Sequence, residues 1–292
     1  MSILSAKHKI GLAFIALLLL LNIFTWQHVF VLAGPRYLKV EVLSVGQGDS
    51  IFIQTPAMRR ILIDGGPDAT VLSKLAKRLP FWEKSLDVII LTHPDQDHIM
   101  GLLSVLEKYH VGYIVWTGMV RDGANYDQWV TLLEKAKKRG SKIVIAKTGL
   151  RIASGGAVFD TLHPFETLEG RFFDKTGNDA GIIEKLQYGR NSFLFTADVS
   201  SNVEQQMVDV GLPVVSDVLK VGHHGSKYSS SELFLQAVNP TLAVISVGAR
   251  NAYGHPTPEV LQRLQKSGIK ILRTDQHGDM KFLSDGKNIN IK

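Results

Sequence analysis

The chain contains no cysteine among its 292 residues. No disulfide can therefore stabilise the fold, and any metal site must use histidine and carboxylate side chains instead of thiolates. Segments of strongly biased composition are also lacking, which argues against a disordered protein. The net charge is only +6, which permits a polyanionic substrate such as nucleic acid without requiring one. Because 45% of the residues are hydrophobic and 21% charged, the chain can bury one large core.

Charged side chains are missing between Lys9 and Arg36. Residues 10–33 are long and apolar enough to cross a bilayer as a transmembrane anchor. The basic residues before this segment predict that residues 1–9 are a cytoplasmic tail and that residues 36–292 lie outside the cytoplasm. We therefore expect a single-pass protein of the cytoplasmic membrane. A cleaved signal peptide is the alternative, because Val31-Leu32-Ala33 resembles a cleavage site, and the protein would then be secreted.

Hydrophobic patterns in residues 36–292 alternate between strand and helix periods. The segment LKVEVLSV (38–45) alternates as a half-buried strand does, whereas DVIIL (87–91) is continuously apolar, as in strands buried on both faces. Helical spacing is found in residues 126–139, 202–210 and 258–266, each followed by a predicted strand. This alternation predicts one α/β domain in which two sheets pack together with helices outside.

Four side chains that can bind metal follow the DVIIL strand within six residues: His93, Asp95, Asp97 and His98. If they lie in a loop at the strand end, they can face two neighbouring cations, and imidazole with carboxylate suits Zn²⁺, Mn²⁺ or Fe²⁺. A solvated polar turn is the alternative interpretation.

Two further strands end in similar residues. The strand Phe193–Thr196 leads to Asp198, which could bridge two metal ions or cap the following helix. The strand before Gly222 leads to His223 and His224, whose side chains we expect to point apart on an extended backbone. Because strand ends gather at one edge of a sheet, the three clusters together predict a common site.

The motif His93–His98 (HPDQDH) resembles the HxHxDH signature of the metallo-β-lactamase superfamily. Five more motifs resemble the extracytoplasmic hydrolase domain of ComEC-type competence proteins, which are bacterial DNA-uptake channels: VGQGDS (45–50), IDGG (63–66), TAD (196–198), KVGHHGS (220–226) and YGHP (253–256). The resemblance covers the chain from Leu38 to its end. It implies a four-layered αβ/βα sandwich, here preceded by one N-terminal transmembrane helix.

The resemblance also implies roles for the site residues. His93 and Asp95 would bind a first divalent ion, Asp97, His98 and His224 a second, and Asp198 would bridge both ions, which we expect to be Zn²⁺ or Mn²⁺. Asp64 would orient the ligands. His223 and His255 would, like Asp97, take part in catalysis. Asn178, Ser226 and Lys227 would contact the substrate. Lys220 and Arg250 are further candidates for binding phosphate.

Two departures from the lactamase pattern stand out. Asp95 replaces a histidine, as in ComEC-like relatives, which shifts the first site toward Mn²⁺. No evident histidine lies between His98 and Asp198 where lactamases supply a third ligand. His163 is a candidate by position, but we favour a structural role for it. We expect His110 and His277 to be surface or packing residues, and His8 and His28 to belong to the membrane segment.

The resulting hypothesis is an extracytoplasmic dinuclear phosphodiesterase, a DNase related to DNA uptake in competence. Two cations ~3.5–4 Å apart suit phosphodiester hydrolysis. Two alternatives remain: an envelope esterase or phosphorylcholine-type phosphodiesterase, and a DNA-binding accessory subunit with a vestigial site. ComEC-type proteins carry many transmembrane helices, but this chain has one predicted span. It would therefore need a separate membrane channel partner or act as a standalone hydrolase.

Overall fold

The N-terminal helix α1 (Ala6–Ala33) contains a stretch, Lys7–Trp26, whose mean hydropathy of 2.0 makes it long and apolar enough to cross a membrane. The computed structural model describes residues 6–33, 37–173 and 177–292. Residues 1–5 of the predicted tail and residues 34–36 lie outside this range. By its internal contacts the chain divides into two units, Met1–Arg36 and Tyr37–Lys292.

The second unit contains fifteen strands and seven helices among its described residues. The strands are β1 (Leu38–Val42), β2 (Ile51–Gln54), β3 (Arg60–Ile63), β4 (Ser85–Ile90), β5 (His110–Trp116), β6 (Lys142–Ile145), β7 (Arg151–Ser154), β8 (Ala157–His163), β9 (Ile183–Tyr188), β10 (Asn191–Phe195), β11 (Val218–Lys220), β12 (Leu242–Ile245), β13 (Lys270–Arg273), β14 (Met280–Ser284) and β15 (Ile289–Ile291). The helices are α2 (Thr70–Ala76), α3 (Gln96–Lys108), α4 (Ala124–Lys138), α5 (Ser201–Asp209), α6 (Glu232–Val238), α7 (Pro258–Lys266) and α8 (Thr274–His277).

These elements form the predicted four layers. One sheet has the order β15-β14-β1-β2-β3-β4-β5-β6 and the other β13-β12-β11-β10-β9-β8-β7. One apolar cluster lies between the sheets, and two others pack α2–α4 and α5–α7 against the outer faces. The αβ/βα sandwich is thereby confirmed. Strands such as β4 and β10 are apolar on both faces because both faces are covered.

The direction of the strands brings the predicted clusters together. β3, β4, β5 and β6 run parallel, as do β10, β11, β12 and β13. Parallel strands end at the same edge, so the segments after β4, β10 and β11 meet there.

One expectation about this edge was wrong. We expected the HPDQDH motif to lie in a loop at the strand end, but α3 begins at Gln96, inside the motif. Asp97 and His98 therefore lie in the first helical turn. A carboxylate is favourable there because the helix N-terminus carries partial positive charge.

Glu184 on β9 is fully buried and is not part of the predicted site. One carboxyl oxygen accepts a hydrogen bond of 2.6 Å from the Thr161 hydroxyl, whereas Oε2 has no hydrogen-bond partner among the described residues. Burial raises the pKa of Glu184 from its ordinary 4.5 to about 8. The folded protein therefore holds this carboxyl in its neutral form near neutral pH.

The Glu184→Gln substitution should flatten the dependence of stability on pH. A folded-state pKa above the unfolded one means that the native chain binds more protons between pH 4.5 and 8. The unfolding free energy contributed by this group therefore falls as pH rises, by about 1.4 kcal/mol per unit. Urea unfolding of the full chain in detergent at pH 6, 7 and 8 measures this slope. The exposed Glu134→Gln is the control, and an equal slope in all three proteins would contradict the assignment.

Candidate metal centre

Four of the predicted ligands meet at the shared sheet edge. Ligand atoms of Asp97, His98, Asp198 and His224 all lie within 4.8 Å of one another. His224 Nε2 is 3.0 Å from Asp97 Oδ2 and 3.2 Å from Asp198 Oδ2, and His98 Nε2 is 3.4 Å from the same Asp198 oxygen. Two imidazoles and two carboxylates at this spacing form a donor set that suits a divalent transition metal.

Several donor atoms at this centre are buried without a hydrogen-bond partner among the described residues: His93 Nε2, His98 Nε2 and Asp198 Oδ1. Buried polar atoms are normally satisfied, since leaving one unpaired costs about 1–3 kcal/mol. A cation would satisfy all three, so the residues present fit the divalent metal that the motifs imply.

His93 and Asp95 lie beside this group. His93 Nε2 is 3.8 Å from Asp95 Oδ2, while Asp95 Oδ1 pairs with the guanidinium of Arg121. Arg121 also donates to the carbonyl oxygen of Pro94 at 3.3 Å. Sequence reasoning missed Arg121, since no motif surrounds it. Its contacts orient Asp95 with one carboxyl oxygen directed away from the arginine.

Asp64, which the resemblance assigns as an orienting residue, lies behind His98. Its carboxylate accepts from the Thr92 amide at 2.9 Å and from the Thr92 hydroxyl at 2.7 Å. It also lies 2.8 Å from His98 Nδ1. A carboxylate on Nδ1 keeps the proton there and leaves Nε2 as the ligand nitrogen.

A second buried carboxylate, Asp49, lies behind His224. Asp49 Oδ1 is 3.4 Å from His224 Nδ1, which also hydrogen-bonds the Ser246 carbonyl at 2.9 Å. Asp49 belongs to the VGQGDS motif, so a signal was present, but the sequence assigned it no role. Although burial alone would raise the pKa of Asp49, Lys220 and His224 hold it well below its ordinary range.

The expectation that Lys220 binds substrate phosphate was wrong. Its side chain is 2% exposed, and Nζ lies 2.6 Å from Asp49 Oδ2 and donates to the Val221 carbonyl. Lys220 lies inside the sheet because its strand, β11, is central and covered on both faces. It is the counter-ion of Asp49.

The backbone of the centre is strained at several non-glycine residues. Asp64, Ala197, His223 and His224 have φ values of 56°, 45°, 46° and 52°. L-residues rarely adopt such values, and they concentrate at functional sites. The two histidines therefore lie in a left-handed turn, Gly222–Gly225, and not on the extended backbone we expected.

Close backbone packing places Asp64 beneath His98. A Cβ atom at Gly101 would overlap the Gly65 carbonyl oxygen, so α3 approaches the turn after β3 only because both positions are glycine. The Gly65 amide donates to the His98 carbonyl at 2.8 Å.

The predicted substrate residues occupy different positions. His223 is 31% exposed and lies 3.9 Å from Asp198 Oδ2, and its ring centre is 5.6 Å from that of His255. The Asn178 amide nitrogen lies 3.5 Å from both ring nitrogens of His223. Ser226 is buried in the turn after His224, whereas Lys227 is exposed, with Nζ 5.2 Å from the Tyr228 ring centre.

Three further histidines of the second unit, His110, His163 and His277, are not part of the four-residue cluster. His163 is buried, and its Nδ1 hydrogen-bonds the Gly181 carbonyl at 2.8 Å, consistent with a structural role. His110 and His277 are exposed on β5 and α8.

The surroundings shift the pKa values of the histidines at this centre in opposite directions. Burial alone would lower the pKa values of His98 and His224, but Asp198 and neighbouring carboxylates raise both well above 6.5. Burial and the nearby His98 lower the pKa of His93. His93 therefore presents a neutral imidazole, whereas the other two rings must lose protons to bind a cation.

Comparison with known proteins gives concordant results. The family model described as "Metallo-beta-lactamase superfamily" matches residues 43–249. ComE operon protein 3 of Bacillus subtilis is 34% identical over 84% of this chain and 33% of its own length. Competence protein ComA of Neisseria gonorrhoeae is 33% identical over 83% of this chain and 32% of its own length. The chain thus spans about one third of these relatives, and the resemblance to competence proteins is confirmed.

A solved structure shares the fold. The metallo-beta-lactamase fold protein YhfI of Bacillus subtilis superposes with a TM-score of 0.52, at 15% identity, over 81% of this chain and 95% of YhfI. At this identity the likeness concerns the fold alone.

The Lys220→Met substitution should destabilise the protein by about 3–5 kcal/mol, because it leaves the Asp49 carboxylate buried without its counter-ion. The double variant Asp49→Asn/Lys220→Met should recover part of this loss. Lys266→Met, which breaks an exposed pair with Glu232, is the control and should cost less than about 1 kcal/mol. Urea unfolding monitored by tryptophan fluorescence measures all three. If Lys220→Met and Lys266→Met lower the unfolding free energy equally, the buried pair contributes no more to stability than the exposed one, and the prediction is wrong.

Proposed function

Because the chain belongs to the metallo-β-lactamase superfamily, we propose that it is a dinuclear phosphodiesterase that cleaves DNA outside the cytoplasmic membrane. The protein is a metal-dependent hydrolase of this superfamily with homologues among competence proteins. The substrate, the number of metal ions, their identity as Zn²⁺ or Mn²⁺, and the location are the proposed part.

One observation carries the proposal. Ligand atoms from α3, from the segment after β10 and from the turn after β11 lie within 4.8 Å of one another, and those of His98 and Asp198 include buried atoms without a hydrogen-bond partner. In this proposal Asp198 bridges the two subsites. Its Oδ2 faces His98 and His224, and its Oδ1, which is buried without a hydrogen-bond partner among the described residues, would serve the subsite of His93 and Asp95.

When bound, divalent cations at this centre would act as Lewis acids toward a phosphoryl oxygen and would make water a stronger nucleophile near neutral pH. The protein's residues perform the remaining tasks. Asp64 and Asp49 orient His98 and His224, and Arg121 orients Asp95. Preorganised ligands of this kind need little rearrangement during the reaction.

The leaving oxygen of a phosphodiester needs a proton, and two histidines flank the centre. The pKa of His255 is lowered mainly by burial and, to a lesser extent, by the nearby His223 and His224. Its ring is therefore neutral at pH 7 and suited to accept a proton. His223 lies 3.9 Å from Asp198 Oδ2, and its side chain is 31% exposed, so it stands at the open side of the centre where a leaving oxygen could reach it. We therefore assign proton donation to His223 and place His255 as its neighbour.

DNA is the proposed phosphodiester for three reasons. The relatives are competence proteins. The exposed residues Lys227 and Arg250 would attract the phosphates of a polyanion. Tyr253 is 72% exposed and stacks on His255 with ring centres 6.0 Å apart, so it offers a surface on which a base can stack.

Attachment to the membrane is part of the proposal. α1 would anchor the hydrolase to the cytoplasmic membrane, with Lys7 and Lys9 on the cytoplasmic side. If the protein acts during DNA uptake, a separate membrane channel would deliver the DNA, because one helix cannot form a channel.

Asp198→Ala should abolish hydrolysis, because it removes the carboxylate shared by both subsites. The full chain in detergent is incubated with single-stranded DNA, double-stranded DNA and bis(p-nitrophenyl) phosphate, with Mn²⁺ or Zn²⁺ added. Asp209→Ala, on the exposed face of α5, is the control and should retain full activity. An active Asp198→Ala protein would refute the dinuclear assignment.

The same assay separates the alternative functions. Cleavage of DNA supports the nuclease, whereas cleavage of the small ester alone supports an envelope esterase. DNA binding that is independent of metal, without turnover of any substrate, supports an accessory subunit.

Orientation can be tested because the chain lacks cysteine. In intact cells, a membrane-impermeant maleimide should label Glu134→Cys but not His8→Cys, and should label both after lysis. The opposite pattern would contradict the extracytoplasmic placement. Recovery of the labelled protein in the medium, shortened at its N-terminus, would indicate a cleaved signal peptide.

A further inference from the structure

The two proposed metal subsites differ in the number of their protein ligands. The second has Asp97, His98 and His224 besides the shared Asp198, whereas the first has only His93 and Asp95. His163, the histidine nearest to a third ligand by sequence position, directs Nδ1 to the Gly181 carbonyl instead.

Gly181, which His163 contacts, directly follows a short turn, Asn178–Ala180, that begins with an asparagine. The turn and the residues after it are hydrogen-bonded to segments on both sides of the first subsite. On one side the Ile182 amide donates to the Thr92 carbonyl at 3.1 Å, next to His93. On the other, Asp179 accepts from the Ser200 amide at 2.8 Å, two residues after Asp198. Asn178 is therefore fixed between the segments that supply His93 and Asp198.

The Asn178 side chain has an unsatisfied acceptor. Its Oδ1 is buried and has no hydrogen-bond partner among the described residues, whereas its Nδ2 approaches His223 at 3.5 Å. The same condition applies to His93 Nε2 and Asp198 Oδ1. All three atoms can donate an electron pair to a metal ion. The hydrogen bonds of Ile182 and Asp179 join the segments to which the three atoms belong.

We propose that the side-chain oxygen of Asn178 is the third protein ligand of the first subsite, in the position where lactamases use a histidine. This inference rests on the proposed function. The first subsite then consists of one imidazole nitrogen and three oxygens, from His93, Asp95, Asp198 and Asn178. The second has two imidazoles and two carboxylates.

The difference in donor atoms has a chemical consequence. Amide and carboxylate oxygens suit harder cations such as Mn²⁺, whereas imidazole-rich sites suit Zn²⁺. The first subsite should therefore bind its metal ion more weakly than the second. Its ratio of Mn²⁺ affinity to Zn²⁺ affinity should also be higher than that of the second subsite. The side-chain oxygen of Asn178 would thus bind the metal, while its amide nitrogen lies 3.5 Å from the His223 ring.

Calorimetric titration of the untagged full chain in detergent with Mn²⁺ or Zn²⁺ tests the proposal without relying on activity. The wild type should show two binding steps. Asn178→Ala should weaken the weaker step by at least about tenfold and leave the tighter step unchanged. Asn202→Ala, an exposed asparagine on α5, is the matched control and should retain both steps.

Asn178→His provides a second test, in which metal affinity is expected to increase instead of decrease. An imidazole at this position should strengthen the weaker step for Zn²⁺ more than for Mn²⁺. If Asn178→Ala and Asn178→His both bind as the wild type does, Asn178 is not a ligand, while the proposed function stands. A wild type that binds only one ion also overturns the inference, and one that binds none overturns the proposed function as well.

Discussion

The centre depends on buried carboxylates that hold its histidines from behind. Asp64 contacts His98 Nδ1, and Asp49 contacts His224 Nδ1, so that in each ring Nε2 is directed to Asp198. Burying these carboxylates is costly, and each is compensated differently: Asp64 by hydrogen bonds from Thr92, and Asp49 by the buried ammonium of Lys220. The visible ligands are thus the outer part of a larger charged network inside the protein.

This network explains why the fold and the site cannot be separated. Lys220 lies on a central strand and reaches Asp49, which follows β1 in the opposite sheet, so one ion pair joins the two halves of the sandwich at the active edge. The left-handed residues His223 and His224 lie in the turn that directly follows the strand of Lys220. Backbone strain of this kind persists only where the surrounding structure holds it.

The two groups of candidate ligands are supported unequally by the surrounding residues. The side formed by His98 and His224 has two carboxylates behind its rings, whereas Asp95 on the other side is oriented by the more exposed Arg121. The relatives to which the chain is similar are about three times longer, so much of what they contain lies outside this region of similarity. The metal centre lies within it and carries its own supporting residues.

The sequence by itself determined the layered fold, the apolar N-terminal helix and the strand ends at which ligands gather, because alternating hydrophobic periods and short motifs are local signals. It named Asp97, His98, Asp198 and His224, since each follows a recognisable strand. Only the tertiary structure showed which residues contact and orient these side chains. Asp49 and Arg121 act through contacts between distant segments, Lys220 is buried as the counter-ion of Asp49, and α3 begins inside the HPDQDH motif. Burial and pairing across two sheets depend on how the layers pack, and no local pattern encodes the partner that a charged side chain will meet.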